Sequence, residues 1–207
     1  MNTDTTDRIV QRELKHDAYS FSKIKKETCK YYIDLGANHG LVYQHLLTRG
    51  FVFASAVLVE PLLTSYKQLL SNLEEVQKTN SVRLLNRCFG PNTDPQYLSF
   101  IKAHNSGSTR FAPDGNLCEG VLSVTLEQLV RENEMDVKTL LIKCDCEGAE
   151  RFLLAKNNIQ VAINSPYITG EFHGGCKPFI EMLYSYMGDT HTLSFSGTQF
   201  FIALREI

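Results

Sequence analysis

The residues of this chain that could do chemistry fall in three short blocks. The first is Tyr31-Tyr32-Ile33-Asp34-Leu35-Gly36-Ala37-Asn38-His39-Gly40. Its apolar start reads as a buried strand, and its two glycines let the backbone turn sharply and approach a ligand without a Cβ clash. Asp34, at the strand end, can hydrogen-bond a ligand ammonium or hydroxyl. The dinucleotide fingerprint needs G-x-G-x-x-G, whereas this chain offers G-x-x-x-G with an acid just before the first glycine. A cationic, phosphate-free ligand suits that turn better than a pyrophosphate. The second block, Val59-Glu60-Pro61, closes another apolar run with an acid, which this topology presents to the ribose hydroxyls of a nucleoside. Acids at strand ends also cap helices, so each has a structural reading. Two acids around one glycine turn favour the ligand. The third block is Leu141-Ile142-Lys143-Cys144-Asp145-Cys146-Glu147-Gly148-Ala149-Glu150, where Asp145 and Glu147 leave the end of a buried strand and Gly148 opens a helix.

These blocks need a frame, and hydrophobic periodicity supplies one. Strands are expected at 31–35, 54–59, 82–86, 121–124, 139–144 and 167–171. Helices are expected from about Gly40 to Arg49, through Leu62, Tyr66, Leu69, Leu73 and Val76, at 148–156 and at 178–187. Thr125-Leu126-Glu127-Gln128 has the form of a capping box opening a further helix. Residues 192–195 and 199–204 flank Ser196-Gly197-Thr198 as an antiparallel hairpin. From Gly90 the pattern breaks for about thirty residues rich in Pro, Asn, Asp, Gly and Ser, and regular structure is not expected over most of it. The fold class is therefore α/β: a Rossmann-like, doubly wound, mainly parallel seven-stranded sheet with a C-terminal antiparallel hairpin, which adds an antiparallel strand to one edge. Ligands of such sheets bind at the carboxyl ends of the strands.

Composition agrees with a folded globular chain. The 207 residues are 43% hydrophobic and 21% charged, which excludes a disordered or fibrous protein. A net charge of −2 excludes a broadly basic nucleic-acid binder, though not a local patch. The polar N-terminus has no signal-peptide core, and the longest apolar stretch, Phe51 to Val59, is too short to span a bilayer. The six cysteines have no zinc or thioredoxin-type spacing, so they read as buried thiols of a cytoplasmic protein. One domain is expected over residues 1–207, with an N-terminal helical arm at 1–29 and a catalytic core at 30–207.

The span from Tyr31 to about Glu171 resembles the FkbM-type methyltransferases, a branch of the class I S-adenosylmethionine-dependent enzymes. The resemblance rests on the blocks Asp34 to Gly40, Glu60-Pro61 and Ile142 to Glu150, together with Val124-Thr125-Leu126 and Pro166 to Glu171. Cys144 and Cys146 stand where branched aliphatics are expected. The resemblance implies S-adenosyl-L-methionine as cofactor, with Asp34, Gly36, Ala37, Asn38 and Gly40 around its methionine part. It places Glu60 on the ribose with Pro61 beside it, Arg87-Cys88-Phe89 against the adenine, and Asp145 near the sulfonium methyl.

Methyl transfer is an in-line displacement, and a hydroxyl acceptor must also give up its proton. Asp145, Glu147, Glu171 and His173 are the candidate bases, with Asp145 first because it lies nearest the methyl. Lys143 is a candidate to stabilise a developing oxyanion. Glu147 and Glu150 read equally well as helix-start charges. His173, before Gly174-Gly175, reads either as a base or as a surface histidine. Several carboxylates could gather a divalent cation, though no spacing demands one. The leading function is an O-methyltransferase acting on a small-molecule or carbohydrate hydroxyl. The alternatives are a ribose 2′-O-methyltransferase of RNA, built on Lys143, Asp145, Glu171 and a lysine from Lys23 to Lys30, and a non-catalytic cofactor-binding module. Asn105 to Arg110 suits a polar acceptor or a solvated loop. The Lys23, Lys25, Lys26 and Lys30 cluster reads as a solvated helix face. Acceptor recognition falls to the segment at 90–119, the region of His173, the N-terminal arm or another subunit.

Overall fold

The structure, a computed structural model, describes residues 5–100, 109–111, 119–174 and 176–205. Helix α1 (Thr5–Lys15) and 3-10 turns at Phe21–Lys23 and Lys26–Thr28 precede β1 (Tyr31–Leu35). Next come α2 (Leu41–Thr48), β2 (Ser55–Val59), α3 (Leu63–Thr79) and β3 (Val82–Leu85). Then follow β4 (Cys88–Phe89), β5 (Pro95–Phe100), β6 (Thr109–Phe111), β7 (Glu119–Val124) and α4 (Leu126–Glu132). The chain continues with β8 (Leu140–Cys144), α5 (Lys156–Asn164), β9 (Tyr167–Glu171), α6 (Cys176–Met187), β10 (His191–Ser196) and β11 (Gln199–Leu204).

Seven strands form one sheet in the order β10-β11-β9-β8-β1-β2-β3. It is a Rossmann-like, mainly parallel sheet, in which β11 alone runs antiparallel to its neighbours. Alternation along each strand serves two apolar layers. Ile33, Leu35, Val57, Val59, Ile142 and Cys144 face α4, α5 and α6, whereas Tyr32, Ala56, Leu58 and Leu141 face α1, α2 and α3. The chain leaves β1 toward β2 and β3 on one side and returns to β8 on the other. That reversal opens a crevice at the carboxyl ends of β1 and β8.

Three expectations change. The antiparallel strand is not at the edge: β11 is inserted between β9 and β10. Its centre, Phe200-Phe201-Ile202, is buried on both faces and needs a neighbour on each side, whereas the half-polar β10 tolerates the edge. The segment after Gly90 is not mostly irregular where it is described. β4, β7, β5 and β6 form a second, four-stranded sheet in that order. Proline hid it, because Pro95 occupies the first position of a strand, where its missing N–H is tolerated. Of the Asn105 to Arg110 stretch, 105–108 lie outside the described residues, while Thr109 and Arg110 belong to β6. Third, Glu150–Leu154 is a 3-10 turn, and the α-helix there, α5, begins only at Lys156. Asn158 explains why so polar a sequence is helical. Fully buried, it donates to the carbonyls of Gly90 (3.0 Å) and Phe152 (2.7 Å) and accepts from the Leu126 amide (2.7 Å). Tertiary hydrogen bonds outweigh poor helix propensity.

Of the smaller expectations, the α4 cap holds in part, the thiols hold, and the helix face expected for the lysine cluster does not form. Thr125 caps α4, accepting from the Gln128 amide at 3.1 Å; Gln128 turns its own side chain to Glu132 (2.7 Å), so only half the capping box forms. Cys29, Cys88, Cys144 and Cys146 are free thiols. Lys23 and Lys26 lie in 3-10 turns rather than on a helix face, with their ammonium groups over the rings of Phe201 and Phe51. Among the described residues no helix is long and apolar enough to cross a membrane.

Candidate active site

A cleft of about 310 Å³ lies at the carboxyl ends of β1, β2, β8 and β9, at the small end of the range for small-molecule sites. Its floor is the turn after β1. Gly36 has φ +80°, and a Cβ there would stand 1.9 Å from the Asp145 carbonyl, so only glycine lets the ends of β1 and β8 come this close. The Gly36 and Ala37 amides both donate to the Val59 carbonyl at 3.0 Å. Asn38, with φ 48°, aims its amide at Glu60 Oε2, 2.8 Å away. The other Glu60 oxygen accepts from the Leu62 amide at 2.8 Å. Glu60 is thus fixed at both oxygens, yet each keeps a lone pair for a ligand. Burial pushes its carboxyl up to about 7, against the pull of the two amides. Pro61, Leu62, Cys88 and Phe89 line the cleft beside it. Burial pushes the Cys88 thiol up to about 12, so it serves as an apolar wall rather than a nucleophile.

Asp34 and Gly40 stand behind this wall. Register sets Asp34 opposite Lys143 on the adjacent β8, and both side chains point to the face shared with Tyr32. The result is a buried ion pair at 3.1 Å, and the Tyr32 hydroxyl donates to the other Asp34 oxygen at 3.0 Å. Lys143 also donates to the Gly36 carbonyl at 2.6 Å and sits 3.9 Å from Asp145 Oδ2. Burial opposes its charge, but Asp34 and Asp145 prevail and hold its pKa above the ordinary value. Lys143 therefore ties β1, β8 and the glycine turn together. Gly40 starts α2 with φ 82° and packs on Leu69 and Leu73.

The opposite side of the cleft is acidic. Asp145, Glu147, Glu171 and His173 all line it. Asp145 accepts from the Tyr19 hydroxyl at 2.7 Å, and the Tyr19 pKa is raised well above ordinary by burial and then by Asp145 and Glu13, which keeps it a donor. Glu171 accepts from Thr198 Oγ1 at 2.6 Å. His173 sits with Nδ1 3.2 Å from Glu150, and with Nε2 3.7 Å from Glu147 and 4.0 Å from Asp145. Burial disfavours its charge, but Glu150 and then Asp145 and Glu147 overcome this and raise its pKa to about 9. At neutral pH His173 is therefore a cation rather than a base. Glu150 takes the structural side of its two readings: it is buried, and accepts from the Cys146 amide (2.7 Å) and the Gly148 amide (3.0 Å) as well as meeting His173. Asp145, Glu171 and His173 bring one ligand atom each within 4.8 Å of one another, and a metal ion there would have to displace the His173 proton. Cys144 Sγ lies 3.6 Å from Cys146 Sγ, and burial raises both thiol pKa values.

Sequence reasoning missed the residues that α1 and its following turn bring in. Thr6, Asp7, Ile9, Val10 and Glu13 line the cleft together with Tyr19. The signal was present: Thr6, Val10, Glu13 and Leu14 fall on one helical stripe. What that stripe covers is not a local property. Burial, then Asp145 and Glu171, push the Glu13 carboxyl up. Asp7 reaches His39 Nδ1 at 2.6 Å. Neither Arg87 nor any lysine from Lys23 to Lys30 is among the residues lining the cleft.

No protein-family model and no curated protein matches the sequence. Solved structures do. Methyltransferase FkbM from Methylobacillus flagellatus superposes with a TM-score of 0.59 at 15% identity, covering 85% of this chain and 44% of that one. A protein in the NADB-Rossmann superfamily from Streptococcus agalactiae gives 0.50 at 13% identity, over 94% and 68%. The N-terminal domain of human METTL16 gives 0.50 at 12% identity, over 99% and 71%. The chain thus spans less than half the length of the FkbM structure it matches. At these identities the likeness establishes a shared fold: the Rossmann-like fold seen in methyltransferases.

Proposed function

We propose that the chain is an S-adenosylmethionine-dependent O-methyltransferase of FkbM type, transferring a methyl group to a hydroxyl of a small molecule or sugar. The observation that carries this is Glu60, buried at the end of β2, with both oxygens fixed by backbone amides and, in its ionised form, both still able to accept from a ribose diol. The rest of the cleft fits the same ligand. The Gly36-Ala37-Asn38 turn would surround the methionine part, and Pro61, Leu62, Cys88 and Phe89 would flank the nucleoside. Residues 30–207 would form the catalytic core, in a cytoplasmic protein whose described cysteines are thiols.

The cofactor, when bound, supplies an electrophilic methyl group at its sulfonium. The chain must bring the acceptor oxygen into line and take its proton. Asp145 is the assigned base: it ends β8, and its Oδ2 is held by Tyr19 while Oδ1 faces the cation His173 at 4.0 Å. Lys143 acts through the backbone, fixing the Gly36 carbonyl, rather than on an oxyanion. Glu171 and Glu147 complete an acidic wall suited to a hydroxylated acceptor.

Titration calorimetry with S-adenosylmethionine tests the cofactor assignment. Native protein is expected to bind, and Glu60→Gln to bind about tenfold more weakly, the loss of one charge-assisted hydrogen bond. Absence of binding by the native chain overturns the reading. Incubation with the cofactor and a metabolite extract, followed by a mass search for methylated products, identifies the acceptor.

A further inference from the structure

We propose that α1 is a hinged lid that closes over the bound cofactor, so that cofactor binding and ordering of the N-terminal arm are one coupled event. This rests on the cofactor reading above. Four observations carry it.

First, α1 forms one wall of the cleft, through Asp7, Ile9, Val10 and Glu13. A molecule seated on the Gly36 turn against Glu60 would lie under the helix. Second, the two ends of the segment are fastened differently. At its far end Tyr19 is a fixed post: 2% exposed, its carbonyl accepts from Thr169 Oγ1 at 2.5 Å and its hydroxyl donates to Asp145 at 2.7 Å. Near its start, α1 is held by Asp7 on His39, a side-chain contact at the cleft rim with Asp7 21% exposed, beside the buried Thr6. Third, Asp17, which lies between α1 and the post, has φ 54°, and its carboxylate is anchored outside the helix by the Ser22 amide at 3.2 Å and by Arg49 at 3.6 Å. That left-handed, non-glycine residue concentrates the turn between helix and core, which is where a hinge is expected. Fourth, Ile9 lines the cleft yet remains 37% exposed. The apolar surface it still exposes there would be covered by a molecule seated beneath the helix.

Energetics point the same way. A helix of eleven residues is too short to be stable by itself, since isolated helices under about 12–15 residues are marginal in water. The helicity of α1 therefore depends on what it packs against, and a ligand that adds contacts shifts the arm toward its closed, folded state.

Hydrogen exchange read by mass spectrometry, on the full chain with and without saturating S-adenosylmethionine, is the test. Amides of residues 5–15 are expected to gain protection on binding, whereas those of β1 and β8 change little. Two variants sharpen it. Asp7→Ala, which removes this side-chain latch, is expected to weaken cofactor binding about twofold to fivefold. Ile9→Ser is expected to weaken it about threefold to tenfold, with a smaller loss of melting temperature in the cofactor-free protein than in the complex, because the part of its apolar surface still exposed is covered on binding. If the cofactor binds and exchange at 5–15 does not change, the lid is wrong and the methyltransferase reading stands. The lid is equally wrong if Ile9→Ser lowers the melting temperature and leaves affinity untouched. If the cofactor does not bind, both fall together.

Discussion

The two sides of the cleft are built on opposite principles. On the β1–β2 side, position is set by the backbone. Gly36 occupies space no other residue can, Asn38 and Leu62 direct their amides at Glu60, and β2 receives the turn through the Val59 carbonyl. On the β8–β9 side, position is set by side-chain charge. Asp145, Glu147, Glu150 and Glu171 are held against His173, Tyr19 and Thr198, drawn from three distant parts of the chain. A backbone-built half has one arrangement and fails when a single atom is added. A charge-built half shares its load and fails gradually. Lys143 is the seam, bonded to the Gly36 carbonyl on one side and within 3.9 Å of Asp145 on the other.

Breaking the seam should have the largest effect. Lys143→Met leaves Asp34 fully buried without its cation, and removing one partner of a buried pair costs about 3–5 kcal/mol. Urea denaturation is expected to show that loss, with Asp34→Leu/Lys143→Met recovering most of it, because replacing a whole buried pair by apolar groups is often neutral. A loss below about 1 kcal/mol for the single variant would mean the seam is not what joins the halves. Next is Gly36→Ala, where the added Cβ meets the Asp145 carbonyl and the backbone must hold φ +80°. Overpacking and left-handed strain together are expected to cost roughly 2–4 kcal/mol and to abolish cofactor binding. The charged side has one counterpart, Gly170 of β9, where a Cβ would stand 1.7 Å from the Cys144 carbonyl, but that clash falls between the strands and not on the charged side chains themselves.

This contrast also explains what could be read from the sequence. The glycine turn and Glu60 were legible because a backbone-built site must be encoded locally, by glycines and an acid at a strand end. The parallel sheet was legible for a similar reason, in the spacing of apolar runs such as Leu140 to Cys144. Asp34 was legible as important but was assigned toward the ligand. Its partner, Lys143, is 109 residues away, and only register across β1 and β8 brings them together. Tyr19 and Thr198 gave no local sign, and Glu13 only its place on the α1 stripe, since Tyr19 and Thr198 acquire meaning only by meeting Asp145 and Glu171 in space. The second sheet was hidden behind Pro95, and α5 behind asparagines whose hydrogen bonds lie in other elements.

The two sides should also separate in pH. Glu60 has a folded pKa of about 7 against an ordinary 4.5, so the folded state holds the proton more tightly. Stability from it is full below pH 4.5 and is lost as pH rises through 7. His173 has a folded pKa of about 9 against an ordinary 6.5, so its contribution is full below 6.5 and lost as pH rises through 9. Each step is worth roughly 1–3 kcal/mol. Glu60→Gln is expected to flatten the stability profile between pH 4.5 and 7, and His173→Gln to flatten it between 6.5 and 9. Thermal melts across pH 4 to 10 would show whether the two windows are separable. If His173→Gln flattened the acid window instead, the histidine would not carry the charge assigned to it.

The smallest effect is the most informative about load sharing. Thr198 lies in the turn between β10 and β11, exposed, with its hydroxyl on Glu171 at 2.6 Å and its carbonyl accepting from the Phe172 amide at 2.7 Å. Thr198→Val removes only the hydroxyl and keeps the backbone bond and the branched shape. Water can replace the lost donor because the site is open, so the expected cost is about 0.5 kcal/mol, or about 1–2 °C in melting temperature for a chain of this size. Glu171 would then turn without disturbing Asp145, which is held separately by Tyr19. A cost above about 2 kcal/mol would mean that the charged half is as rigidly specified as the glycine half, its members acting as one cooperative network. Charge would then be doing on β8 and β9 what the backbone does on β1 and β2, and the acceptor would meet a preformed surface rather than an adjustable one.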